Sequence, residues 1–219
     1  MRVFWNAEDL AVWIGLALPS LFLGGLIARV FMQAQTPRAL AAQFIFYLIW
    51  FFLLKLLFQI KYSERFWWSL GWVVPDKGLW VCLVTGPILA IILNLMAQWL
   101  KAQPVDAPFQ NLLFDRKLRI VFGVASVIAG PLAEELAFRG FLMPLLVKWM
   151  GAAAGILTTA VAFACAHGQQ NKWMWQYLVL LFVAGSMFGW ARWRYQSTMS
   201  SMVMHSSFNL TVFLAQING

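Results

Sequence analysis

Charge is scarce in this chain. Only 11% of its 219 residues are Asp, Glu, Lys or Arg, against 62% that are hydrophobic, and the charged share is about half that of an ordinary soluble domain. That shortage excludes disorder and argues against a soluble fold. Cysteine is rarer still: Cys82 and Cys165 fall in separate apolar stretches, so neither a disulfide framework nor a zinc knuckle is encoded, and both read as packing residues. Histidine occurs only as His167 and His205. The HExxH zinc motif, internal repeats and low-complexity tracts are all missing.

What the chain has in abundance is apolar length. A bilayer core takes about 20 apolar residues per helix, and the sequence holds about seven such stretches, at 10–32, 39–60, 79–100, 118–146, 151–167, 175–193 and 197–217. The expected fold is therefore all-α: a polytopic membrane bundle of about seven transmembrane helices. The net charge of +8 lies in the short links between these runs and builds no basic face, so it reads as membrane-flanking cations and not as a nucleic-acid surface. The first run lacks an A-x-A-like end and is expected to be kept as a span. Between residues 61 and 78 a stretch dense in Trp and Phe is broken by Gly71 and Pro75, which suits an interfacial or re-entrant piece. Segment 101–117, with Pro104, Asp106, Pro108, Asp115 and Arg116, is the most polar and divides residues 1–100, a set of N-terminal membrane helices, from a core at 118–217. Run 118–146 is too long for one untilted helix and contains Pro131, so a kinked or broken helix is expected there.

The core holds the chemistry. An ionisable group inside a span costs roughly 2.5 to 3.5 kcal/mol on insertion scales and is by default functional. Glu134, Glu135 and Arg139 lie in the fourth run, His167 ends the fifth, and His205 lies in the seventh. Glu135 and Arg139 are four apart, which puts a charge-assisted pair on one helix face. Glu134 points about 100° away from that face, and its own i+4 neighbour is the apolar Phe138. An unpaired carboxylate beside an ion pair suits a general base, with the pair as scaffold standing apart from the catalytic groups. His205 and Asn209 are again four apart, among Ser201, Ser206 and Ser207, and Phe163 lies one turn before His167 on the same face. A carboxylate, two imidazoles and an amide drawn from three helices could activate a water and stabilise an oxyanion. Gly185 and Gly189 read as a helix-packing step.

These residues fall into three patterns. Glu134-Glu135-x-x-x-Arg139 resembles the EExxxR signature of the CAAX-protease and bacteriocin-processing (CPBP, Abi) family of intramembrane proteases. Phe163-x-x-x-His167 is similar to its second motif and His205-x-x-x-Asn209 to its HxxxN motif, all in the family's order. The resemblance implies an intramembrane endopeptidase in which Glu134 activates the attacking water, His167 assists it, His205 and Asn209 stabilise the oxyanion, and Glu135 with Arg139 supports them. It also implies a multi-pass protein of the plasma (inner) membrane, whose partners are the bilayer and a membrane peptide or protein substrate, lipidated or not, without nucleic acid.

The cofactor question stays open at this stage. The family is described both as metalloprotease-like and, for CAAX-processing members, as glutamate proteases without a catalytic metal. Metal-independent water activation is favoured, since an Asn is an unusual zinc ligand; a divalent metal such as zinc held by Glu134, His167 and His205 is the alternative. Two other functions fit the composition. A proton-coupled transporter would relay protons through Glu134 and the histidines, though it predicts repeats that are not found. A non-catalytic immunity or scaffold protein would tolerate Glu134→Gln.

Overall fold

The computed structural model describes residues 3–31, 35–103 and 115–218. Every regular element among them is helical, as a chain that must satisfy its backbone inside a bilayer requires. Pro104, Asp106 and Pro108 of the expected boundary lie outside the described residues. By packing, the chain divides into a unit that ends at Ser69 and a unit that begins at Leu70, and in the second the helix Leu79–Trp99 lies along the last helix, Thr198–Asn218.

The first unit comprises α1 (Ala7–Gly15), α2 (Ala17–Phe31), α3 (Gln35–Tyr62) and the short α4 (Phe66–Ser69). Asn6 caps α1 in a capping box with Asp9: its side chain accepts from the Glu8 and Asp9 amides at 2.9 and 3.1 Å, and its own amide donates to Asp9 at 2.9 Å. The buried Asp9 carboxylate also accepts from Lys61 Nζ at 2.7 Å and the Tyr62 hydroxyl at 2.6 Å, so the start of α1 is tied to the end of α3. The two helices are interrupted at Leu16, between α1 and α2; the ring of Pro19 crowds the carbonyl four residues back, at Gly15. Lower down, Trp13 and Trp50 stack at 3.8 Å, and Trp50 Nε1 donates to the Trp13 carbonyl at 2.7 Å.

The second unit holds α5 (Leu79–Trp99), then one helical run from Arg116 to Met150, then α9 (Ala152–Ala166), α10 (Trp175–Tyr195) and α11 (Thr198–Asn218). The long run starts where Asp115 Oδ1 accepts from the Lys117 and Leu118 amides, both at 2.9 Å. It is not broken at Pro131. Instead α6 (Arg116–Val124), α7 (Gly130–Glu135) and α8 (Met143–Met150) are joined by two π-helical segments, Ala125–Ala129 and Leu136–Leu142. Such wider turns absorb a missing backbone hydrogen bond without ending the helix.

Among the described residues four helices are long and apolar enough to cross a membrane: Ala7–Phe31, Arg38–Tyr62, Leu79–Trp99 and Arg116–Met150. The expected seven are not reached on that measure. Ala152–Ala166 is apolar but shorter, while α10 and α11 are 21 residues each and carry more polar side chains. The chain is an integral membrane protein with a helical bundle.

α5 and α11 touch backbone to backbone. A Cβ on Gly86 would lie against the Met204 carbonyl and within 2.8 Å of the Phe208 nitrogen, so only glycine permits the approach. Gly86→Ala is expected to lower the thermal midpoint in detergent by the equivalent of about 1 to 3 kcal/mol, the usual cost of overpacking. An unchanged melt would show that α11 is not seated on α5 this closely.

Segment 70–78 buttresses the start of α11. Thr198 donates from its amide to the Gly71 carbonyl at 2.9 Å and from its hydroxyl to the Leu70 carbonyl at 2.6 Å, and Ser197 Oγ donates to Val73 at 2.5 Å. Gly71 is needed for its φ of +68° and because a side chain there would strike the buried Arg192 guanidinium. The stretch is a packed support for α11, while Trp67 and Trp68 before it remain exposed.

Candidate active site

Glu134 and Glu135 end α7, between the two π segments. A wider turn on either side changes which residues share a face, so the 3.6-residue wheel fails locally. Phe138, expected as a wall for Glu134, instead meets Phe163 edge-on at 5.4 Å and lies beneath the Arg139 guanidinium at 5.8 Å.

Three of the four groups named from sequence come together. His167 Nε2 stands 3.6 Å from Glu134 Oε1 and His205 Nε2 stands 3.8 Å from Glu134 Oε2. α9 delivers His167 at its C-terminus and α11 delivers His205 from its second turn. The site is partly open: Glu134 and His167 side chains are each 19% exposed, whereas His205 and Glu135 are buried.

The far nitrogens of both rings are committed. His167 Nδ1 lies 2.9 Å from the Phe163 carbonyl, and a carbonyl can only accept, so Nδ1 carries the hydrogen. His205 Nδ1 lies 2.9 Å from Glu135 Oε1, which as a carboxylate likewise accepts. In its neutral form each ring thus presents its Nε2 lone pair toward the Glu134 carboxylate. Two lone pairs and a carboxylate facing one another form a cradle for a group that carries protons, and a water molecule is such a group.

Glu135 corrects the sequence reading. The ion pair with Arg139 exists, Nη1 donating to Oε1 at 3.0 Å with both groups fully buried, but it does not stand apart from the histidines. The same carboxylate takes the His205 Nδ1 hydrogen, and its Oε2 accepts from the Ser201 hydroxyl. Arg139 is anchored further by a 2.8 Å bond from Nη2 to the Gly185 carbonyl. It is also enclosed by Phe163 and Phe188 at 4.6 and 5.5 Å. Gly185 packs as expected, its Cα face within about 3.3 Å of Ala160 and Phe163 for any added Cβ; its carbonyl was not foreseen as an arginine acceptor.

Phe188 stacks on His205 at 4.4 Å and Phe163 leans on His167 at 4.5 Å. The rings therefore hold both imidazoles in orientation as well as in place. The four-residue spacing of Phe163 and His167 signals the second contact; nothing local signals the first.

Asn209 lies one turn beyond His205, and its Nδ2 donates to the Ser126 carbonyl at 2.8 Å. The reason is visible in the backbone. Within the first π segment Gly130 donates five residues back to Ala125, and the next bond of that series would run from residue 131 to Ser126, but Pro131 has no N–H. The Asn209 amide supplies the missing donor. One amide hydrogen is thereby used for the helix that carries Glu134, and the other is left over.

Two nitrogen lone pairs and a carboxylate are metal-type donors. Among the described residues, however, no group of three or more His, Cys, Asp or Glu stands in an arrangement that would hold an ion.

No curated protein and no solved structure matches the chain. A family model does: the one described as type II CAAX prenyl endopeptidase Rce1-like, over residues 116–211. Those residues run from the first helical turn after Asp115 to just past Asn209 and contain every group placed above. By motifs, geometry and family match alike, residues 116–211 are similar to the Rce1-like family of type II CAAX prenyl endopeptidases.

Proposed function

We propose that the chain hydrolyses a peptide bond at the membrane by direct attack of a water activated by Glu134, without a catalytic metal and without an acyl-enzyme. The observation that supports this most is the approach of both imidazole Nε2 atoms to one carboxylate. A water held there donates one hydrogen to Glu134 and another to an imidazole lone pair. As its oxygen bonds to the scissile carbonyl carbon, Glu134 takes a proton and the carbonyl oxygen becomes an oxyanion. The oxyanion accepts from the spare Asn209 N–H and from a ring whose bare Nε2 takes up the proton handed on by Glu134. His205 is the better placed ring, since Glu135 stands behind it as counter-charge. Collapse of the tetrahedral species breaks the C–N bond, and the same proton returns by way of Glu134 to the leaving amine.

Ser201 is an unsuitable nucleophile in this reading. Its hydroxyl is fully buried and donates to Glu135, and His205 turns Nε2 toward Glu134. The substrate class taken from the family is a peptide or protein with a prenylated C-terminal CAAX-type segment, and the setting is the plasma (inner) membrane.

The test uses the purified chain in liposomes with a farnesylated CAAX-type peptide and its unprenylated twin, reading the released C-terminal fragment by mass spectrometry. Cleavage of the prenylated peptide that persists in chelator and yields no hydroxamate with added hydroxylamine is expected. Loss in chelator with recovery on zinc would transfer Glu134, His167 and His205 to metal ligation. Hydroxamate formation would establish an acyl-enzyme.

A further inference from the structure

We infer that Ser201 is a positioning residue for the reaction, acting through Glu135 to fix the hydrogen-bonding form of His205. The inference about turnover rests on the function proposed above; the inference about the ring does not.

The argument starts from how the Glu135 carboxylate is filled. Oε1 accepts from Arg139 Nη1 at 3.0 Å and from His205 Nδ1 at 2.9 Å, and Oε2 accepts from Ser201 Oγ. Two of the three donors belong to α11, four residues apart and on one face. All four residues are buried, so no solvent competes for these bonds and none can replace one that is lost. Arg139 fixes one oxygen from Glu135's own helix. Ser201 fixes the other, and the two together set the plane of the carboxylate.

That plane decides which nitrogen of His205 holds the hydrogen. With Oε1 aimed at Nδ1, the neutral ring is protonated at Nδ1 and bare at Nε2. Without the hydroxyl, Oε2 is a buried acceptor with no donor, and the carboxylate gains by turning to share Arg139 between both oxygens. His205 Nδ1 then loses its acceptor, and the hydrogen is free to sit on Nε2. There it would face Glu134 and occupy the lone pair proposed to receive the water. The charged and titratable groups around the ring are Glu134 from α7, His167 from α9 through that carboxylate, and Glu135 and Arg139 from the helical run before α8.

A chain with only two histidines makes this measurable. Protein labelled with 15N-histidine gives two ring systems, assigned with His167→Gln. The wild type is expected to show His205 as the Nδ1–H form. Ser201→Ala, which removes a single oxygen, is expected to move His205 toward the Nε2–H form and leave the His167 nitrogens in place. On the prenylated peptide it is expected to lower kcat about 10- to 100-fold, the usual cost of losing a group behind a functional histidine, with KM little changed. Ser201→Thr keeps the hydroxyl and is expected to restore the wild-type ring spectrum; should its extra methyl prevent folding, the alanine spectrum alone decides. Wild-type His205 nitrogens in Ser201→Ala would overturn the inference, as would equal displacement of both histidines. If instead no peptide is cleaved by the wild type but the His205 spectrum shifts as described, the proposed function fails and the positioning role stands.

Discussion

Glu134→Gln is expected to lower kcat on a cleavable membrane peptide by about 10² to 10⁴-fold, the range attached to a general base, while the protein folds at least as well as the wild type. The two halves of this expectation have one cause. The Glu134 carboxylate stands 3.6 and 3.8 Å from its imidazole neighbours, distances too long for direct hydrogen bonds, so it stabilises the resting fold little. A glutamine fits the same space and can hold a water, but its amide cannot accept the water's proton. Binding of the peptide should therefore survive and chemistry should not. Turnover is measured per folded molecule, with the thermal midpoint as control. Activity within about tenfold of wild type would remove Glu134 from the base role. In a transporter the same substitution would abolish proton-coupled uptake and leave no peptide fragment to lose, and in a non-catalytic scaffold it would change nothing.

Much of this site was legible because its parts repeat at helical spacing. Glu135 with Arg139, Phe163 with His167 and His205 with Asn209 are each four apart, and each pair does share a helix face or a contact. Local spacing could not reveal that Glu135 reaches across to His205 and Ser201, since those bonds join residues about 70 positions apart. Nor could it show how the pair Glu134 and Glu135 would be turned, because the two π segments displace the helical wheel on both sides of them. Pro131 predicts a kinked or broken helix, and its actual consequence is an orphaned Ser126 carbonyl that Asn209 fills. The count of seven spans came from run length alone. α9 is shorter than a membrane core, and the polar residues of α10 and α11 that lower their apolarity include Arg192, Ser201 and His205, all buried in the bundle.

Glu135→Gln is expected to damage stability and turnover together, and a second substitution should separate them. Arg139 is wholly buried and Glu135 is the carboxylate bonded to it, so removing that charge leaves an uncompensated guanidinium, a loss of about 3 to 5 kcal/mol when a buried pair is broken from one side. The aromatic rings around Arg139 offset part of that cost. Turnover falls for a different reason: a neutral amide presents one oxygen to three donors, and His205 loses the counter-charge behind Nδ1. Adding Arg139→Met to Glu135→Gln removes the stranded cation and fills its place among Phe138, Phe163 and Phe188 with an apolar side chain. The double variant should thus recover most of the thermal midpoint while turnover per folded molecule stays low. Recovery of both would mean that Glu135 serves the ion pair alone, and that its 2.9 Å approach to His205 has no part in the reaction.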